Sequence, residues 1–460
     1  MKKWLRLTAY GLTLVLTPVL AGAAGIYLPA RTAGPSSSPS AAMAVNAIPQ
    51  VYDPLKPTVA VMLGGEQTEA IDFVAPYELF ASSEAFNVYA VAPKKQLTTL
   101  TGGLNVMPHY SYKELDDVLG KKPDVVVIPF IPPGSAPDQK EVNDYIRNHS
   151  GPETILLSIC NGAENLASTG LLNGKSATTH WGDIGRVEEK YPQVEWIRGQ
   201  RYVENGNIVN SAGLSAGIDA SLHVISRFAG SGTAKRLADA MRYPTYTFVD
   251  HPEAEQYRLQ PSDALILLNY AFAWKKEKAG VLLYDGMDEL SLITLFDTYA
   301  ATGRVRLVPT AQSKELIATK HGLYLAPSAE FHSAPAFKRM LVTGVDARET
   351  SLQALAAWKE RKPDSEISFL NADSPESFVF EPVLKDLAKH TDVMTAKYAA
   401  RRLEYRGENL RLKGLWISSM LILKPVLIGI LAMLLAMALF HRKRWPSGKY
   451  KPLRMQDTVN

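Results

Sequence analysis

The strongest constraint in this chain is an alternation. Short runs that are apolar at nearly every residue, TVAVMLGG (58–65), NVYAVAP (87–93), DVVVIPF (124–130) and TILLSIC (154–160), are separated by stretches that read as helices, among them IDFVAPYELFASS (71–83) and NGAENLAST (161–169). A strand without a polar face is buried on both sides, and strands alternating with helices demand a parallel sheet covered on both faces. LNVMP (104–108) is a further β-rich run. YVENGNIVNSAG (202–213) predicts a hairpin turning at Asn205-Gly206, a pair suited to positive φ. LSAGIDASLHVISRFAG (214–230) and GTAKRLADAMRY (232–243) predict two closing helices.

The chain then repeats itself. AGVLLYDGMDELSLITLFDTY (279–299) mirrors the opening strand and helix, and HGLYLAPS (321–328) mirrors GGLNVMPH (102–109), with Gly103 matching Gly322 and Pro108 matching Pro327 at one offset of 219. TAKYAARRLEY (395–405) echoes TAKRLADAMRY (233–243). A second, shorter copy of one α/β unit is the simplest reading. The copies differ chemically. Ser291 stands where the first has Asp72, and EISFLNAD (366–373) stands in for the TILLSIC run without a thiol.

Both ends read as membrane segments. Leu7–Leu28 carries no charge and follows Lys2, Lys3 and Arg6; it is long enough for a hydrocarbon core of about 30 Å. Ala21-Gly22-Ala23 offers a signal-peptidase pattern, so a cleaved signal peptide stands beside an uncleaved anchor. Leu415–Phe440 is apolar apart from Lys424, which is expected to snorkel or face a partner, and His441-Arg442-Lys443-Arg444 follows. The alternative at this end is a buried amphipathic hairpin. Basic flanks place both termini in the cytoplasm and the residues between them outside it. The expected layout is an anchor or signal peptide at 1–28, a Pro/Ser/Ala-rich tether at 29–57, an α/β domain at 58–245, a connector at 246–278, a degenerate second domain at 279–405, a transmembrane helix at 415–440 and a basic tail at 441–460. The fold class is α/β, two tandem flavodoxin-like parallel-sheet domains flanked by transmembrane segments. A net charge of +4 is too small to argue for nucleic acid, and no nucleic-acid partner is expected.

One cysteine excludes an internal disulfide. Cys160 is therefore a buried filler or a reactive thiol. It stands where the TILLSIC strand turns into NGAENLA, a strand-to-helix junction whose free N–H groups favour thiolate.

CNGAENLASTGLLNGKSATTHW (160–181) resembles the nucleophile-elbow segment of the ThiJ/PfpI superfamily, within the class-I glutamine-amidotransferase-like fold. It is most similar to the branch shared by isonitrile hydratases and the ligand domains of AraC-type regulators. IDFVAPYELF (71–80) and SAGLSAGIDASLHV (211–224) extend the similarity over about 58–245, with 279–405 as a worn copy. The resemblance implies Cys160 as nucleophile, Asp72 as an acidic partner that hydrogen-bonds the sulfur when protonated, and His180 as a histidine near the thiol. Asn161, Gly162 and Thr179 are expected to contact substrate. Asp219 and His223, four apart on one helix, read as structural. No metal and no cofactor is expected. Isonitrile hydratases carry threonine where this chain has Asn161, and many relatives carry Pro-Gly-Gly where it has PFIPPGS (129–135); Pro132 and Pro133 have no N–H to give an oxyanion.

The implied activity is attack of Cys160 on a small molecule or amide, of hydrolase or lyase type, at a membrane-anchored extracytoplasmic site in the cytoplasmic membrane of a bacterium. The alternative is a non-catalytic small-molecule-binding or redox-sensing module. The pairing common among relatives is expected as a homodimer or as an internal pseudo-dimer of the two copies.

Overall fold

The computed structural model describes residues 2–32, 51–134, 136–258, 260–335, 337–406 and 410–442. Residues 33–50 of the expected tether and 443–460 of the expected tail lie outside the described residues. The chain divides into two compact units.

One unit holds the helices Lys2–Thr32 and Ser419–Arg442 with residues 270–274. Leu7–Tyr27 and Ser419–Phe440 are long and apolar enough to cross a membrane, and most of their side chains are exposed. Tyr10 meets Phe440 edge-on at 6.0 Å, so the start of one helix lies beside the end of the other and the pair is antiparallel. Gly429 allows the close approach, because a Cβ there would lie 2.5 Å from the Leu14 carbonyl oxygen. Lys424 Nζ donates to the Phe272 carbonyl at 2.9 Å, the partner-facing choice of the two expected for it.

The other unit holds two parallel sheets. In the first lobe the strand order is Tyr202–Asn205, Ile208–Ser211, Ile155–Ser158, Val125–Ile128, Thr58–Met62, Asn87–Ala92, Tyr110–Ser111. All neighbours are parallel except the hairpin Tyr202–Asn205/Ile208–Ser211, which turns at Gly206 with φ 65°. The unbroken apolar runs follow from two cores. Along Thr58–Met62 and the next residue, Val59, Val61 and Leu63 face one core and Ala60 and Met62 the other. In the second lobe the order is Glu366–Phe369, Arg339–Val342, Glu277–Leu282, Val305–Ala311, Ala329–Glu330, all parallel.

The lobes are joined in three ways. Helices Ala70–Ser82 and Glu289–Ala300 pack on one another. Strands Asn105–Met107 and Tyr324–Ala326, from the two mirrored segments, pair antiparallel in a small four-stranded sheet. His109 accepts from the Ala90 amide and donates to the Gly322 carbonyl, and burial lowers its pKa to about 4, so it stays neutral. One continuous hydrophobic core runs through both lobes.

A shared core makes the lobes one cooperative unit. Phe296, fully buried beside Gly102 of the first lobe, should on truncation to Ala cost about 3–5 kcal/mol. Denaturant unfolding of the detergent-solubilised chain should show both lobes melting together at a lower midpoint. Loss of the second lobe's signal alone would contradict the shared core.

Candidate active site

Strand Ile155–Ser158 ends beside Val125–Ile128, and the Ile159 amide still bonds the Ile128 carbonyl. The chain then reverses through Cys160, whose φ of 54° is a left-handed conformation that costs a non-glycine residue roughly 1–2 kcal/mol. Helix Gly162–Ser168 follows at once. Gly162 is required by packing, since a Cβ there would sit 2.0 Å from the Ile128 carbonyl oxygen. The result is a tight elbow holding the sulfur at the carboxyl end of the central strands. Its own atoms brace it. Thr179 Oγ1 donates 2.9 Å bonds toward the Cys160 carbonyl and Asn161 Oδ1, Asn161 Nδ2 donates to Asp183, and the Cys160 amide donates to Ser211 Oγ.

Asp72 lies in the first turn of helix Ala70–Ser82 and is fully buried. Its Oδ2 accepts from the Phe130 amide at 3.3 Å, and its Oδ1 has no hydrogen-bond partner. Burial first, then the Glu69 carboxylate, pushes Asp72 well above the usual carboxylate range; the bond to the sulfur that the resemblance implies is not formed in this structure. The thiol departs from expectation. Cys160 is only 7% exposed; burial, then the charges of Asp72 and Glu69, raise its pKa well above the ordinary value, against a hydrogen bond from the Asn161 amide. Desolvation of a thiolate outweighs what a single amide and a helix of less than two turns offer it.

His180 is not bonded to the thiol. Its Nδ1 accepts from the Gly182 amide at 3.2 Å, and its Nε2 faces the Arg402 carbonyl at 3.2 Å and therefore donates. Asn161 and Thr179, expected to contact substrate, spend their side chains on the elbow, and Gly162 is held against strand Val125–Ile128. In the loop after that strand the first amides are already committed. The Phe130 amide goes to Asp72, the Ile131 amide goes to Asn165 Oδ1, and prolines follow at 132 and 133. A cavity of about 320 Å3 opens nearby, bounded by Gly65, Lys94, Pro132, Pro133 and Asp138, and Cys160 does not line it.

Three residues that sequence reasoning missed belong to the site. Glu69, which precedes the Asp72 helix, receives Arg402 Nη2 at 2.8 Å; Arg402 Nη1 reaches Asp297 of the second lobe at 2.6 Å. Burial would raise Glu69, but Arg402 overrides it and holds Glu69 below its usual range, while burial pushes Asp297 up to about 8. The two carboxyls are held by one guanidinium. The only sequence signal was in the repeat, where Arg402 stands opposite Ala240.

Asp219 and His223 have structural partners. Arg201 and Tyr243 hold Asp219, each at 2.7 Å, and His223 pairs with Glu204 and Tyr202. Among the described residues, Glu78, Glu289 and His321 form one group with metal-ligand spacing. Their atoms are taken up internally, His321 by Glu289 and Ser82, and Glu78 by the Leu290 amide.

An α/β lobe with a strained cysteine elbow and a buried carboxyl defines a class, and comparison supplies the family. Residues 57–227 match the DJ-1/PfpI family. The isonitrile hydratase of Pseudomonas putida is 27% identical over 184 residues, 38% of this chain and 75% of that protein. Protein DJ-1alpha of Drosophila melanogaster is 30% identical over 120 residues, covering 26% of this chain and only 54% of that protein. The HTH-type transcriptional regulator CdhR of Pseudomonas aeruginosa is 35% identical over 95 residues, 21% and 28% of the two chains. The resemblance read from the sequence holds for the first lobe, including the branch of hydratases and regulators.

The raised pKa of Asp72 has a pH signature. A carboxyl that keeps its proton when folded loses stability as pH climbs above its unfolded value of about 4 toward the folded one. Asp72→Asn keeps the shape without that titration. Its melting temperature minus that of the wild type should grow more positive between pH 5 and pH 8; a difference independent of pH would mean Asp72 is ionised in the fold.

Proposed function

We propose that this chain is a membrane-anchored DJ-1/PfpI-type protein whose Cys160 reacts with an electrophilic carbon of a small molecule or amide, in hydrolase or lyase fashion. The observation that carries the reading is the left-handed Cys160 on its elbow. Glycine would occupy this position without strain, and strain of this kind collects at functional sites. In this reading the sulfur bonds the electrophilic carbon as the thiol proton passes to the substrate's own heteroatom, whose π bond to that carbon opens, and the Asn161 amide steadies the charge that develops on the sulfur. Cys160→Ser should abolish turnover in a screen of isonitriles, small amides, peptides and reactive aldehydes by the full chain in detergent. Equal turnover by both forms would eliminate the nucleophile.

A second reading has its own support. The thiol is covered, its pKa is raised, and the 320 Å3 cavity is lined without it. This favours a binding module derived from the same fold over a redox sensor, whose thiol would need to be exposed and low in pKa, and absence of any Cys160-dependent turnover would favour it further.

The second lobe is, in the same proposal, a degenerate copy of the first. Its five strands follow the same order as five of the seven. Its closing helix Val393–Arg402 ends as helix Ser231–Ala240 does, with a left-handed residue two positions on, Glu404 at φ 52° and Arg242 at φ 59°. Two such lobes on one chain offer an internal pseudo-dimer, and no nucleic-acid partner is proposed. The antiparallel terminal helices and their basic flanks suit two spans of the cytoplasmic membrane of a bacterium, with the lobes outside. Protease added to spheroplasts should digest residues 58–400 and spare the tail. Protection of the lobes in spheroplasts would reverse the topology.

A further inference from the structure

The second lobe reaches into the Cys160 site through one turn of chain. Helix Val393–Arg402 caps its own Ala399, Ala400 and Arg401 carbonyls, and the carbonyls of Arg402 and of the two residues after the helix look elsewhere for donors. First-lobe donors around the elbow take up three in succession. His180 Nε2 bonds the Arg402 carbonyl, the Ser215 amide bonds that of Leu403 at 3.1 Å, and Ser215 Oγ and Arg201 bond that of Glu404. The Glu404 side chain fills the space beside Gly213, where a Cβ would come within 2.2 Å of it, and its carboxylate meets Arg201. Arg402 adds its bonds to Glu69 and Asp297.

Two consequences follow for the thiol. Glu69 is one of the charges felt by both Asp72 and Cys160, so the residue that neutralises Glu69 helps set the site's protonation. His180 has one ring nitrogen bound within its own loop and the other bound to the Arg402 carbonyl. Nε2 becomes available to a substrate only when that carbonyl withdraws.

We propose that Arg402 is a positioning residue supplied to the Cys160 site by the second lobe, and that residues 402–404 latch the site shut. The structure holds the latched form, in which the thiol is covered and His180 is occupied. Withdrawal of the turn opens the thiol and frees His180 together. The proposal rests on Cys160 as the reacting group, and it explains how a covered thiol and a strained elbow coexist without a partner chain.

Iodoacetamide labelling of Cys160 in the detergent-solubilised full chain, read by mass spectrometry from pH 6 to pH 10, tests it. Arg402→Met keeps the aliphatic stem but strands two buried carboxyls, which can unfold a protein outright. The triple variant Glu69→Gln/Arg402→Met/Asp297→Asn therefore accompanies it, because it leaves no charge unpaired. The latch predicts that the wild type labels slowly and that the triple variant labels about tenfold faster or more, at an unchanged unfolding midpoint. A merely structural Arg402 would raise labelling only in step with global destabilisation. Wild type labelling as fast as the variant, or a folded variant as protected as wild type, overturns the latch. If the opened thiol titrates near the free value of about 8.5 whether or not Asp72→Asn is added, the latch stands and the nucleophile assignment fails.

Discussion

The contact between helices Ala70–Ser82 and Glu289–Ala300 is the constraint on which the rest depends. Each lies against its own sheet on one side and against the other helix on the opposite side, so nearly every residue of both is buried. Polar groups on such helices have no water to turn to and must find partners across the contact. Glu78 reaches the Leu290 amide, and Asp297 meets Glu69 through Arg402. The charge pattern of the site is thus a product of lobe pairing. Positions 72 and 291, matched in the sequence reading, differ in chemistry. Both have a buried oxygen without a partner, one on a carboxyl and one on a hydroxyl, and only the first lies near a thiol.

The elbow places a different demand on the fold. It needs a residue held at positive φ and a glycine two residues later, pressed against a neighbouring strand end. The cost is met by the hydrogen bonds of Thr179, Asn161 and Ser211, which explains why side chains that look like substrate contacts are spent on the backbone. With the amides after strand Val125–Ile128 also committed, the site as closed has few donors to spare. A thiol in such surroundings is stable as S–H, and its reactivity depends on what can be displaced around it.

Much of this was legible in the residues. Apolar runs without a polar face determined a parallel sheet buried on both sides, because no other arrangement hides both faces of a strand. Asn205-Gly206 determined the hairpin, and the CNGAENLA stretch located the elbow, because a turn that tight leaves few choices of residue. The matching of GGLNVMPH with HGLYLAPS was visible as a repeat, though not that the two segments would pair with each other as strands.

What only the tertiary structure decided is the state of the site. The pKa of Cys160 depends on how much water and which charges surround it, among them Asp72 and Glu69, and Glu69 is paired with Arg402 across more than three hundred positions of sequence. The partner of His180 is a backbone carbonyl, which carries no residue signature at all. Local pattern determines local geometry, since sterics and hydrogen bonding act over a few residues. Burial and Coulomb interaction act through space, so the surroundings of the thiol were set by tertiary packing and not by its neighbours in sequence.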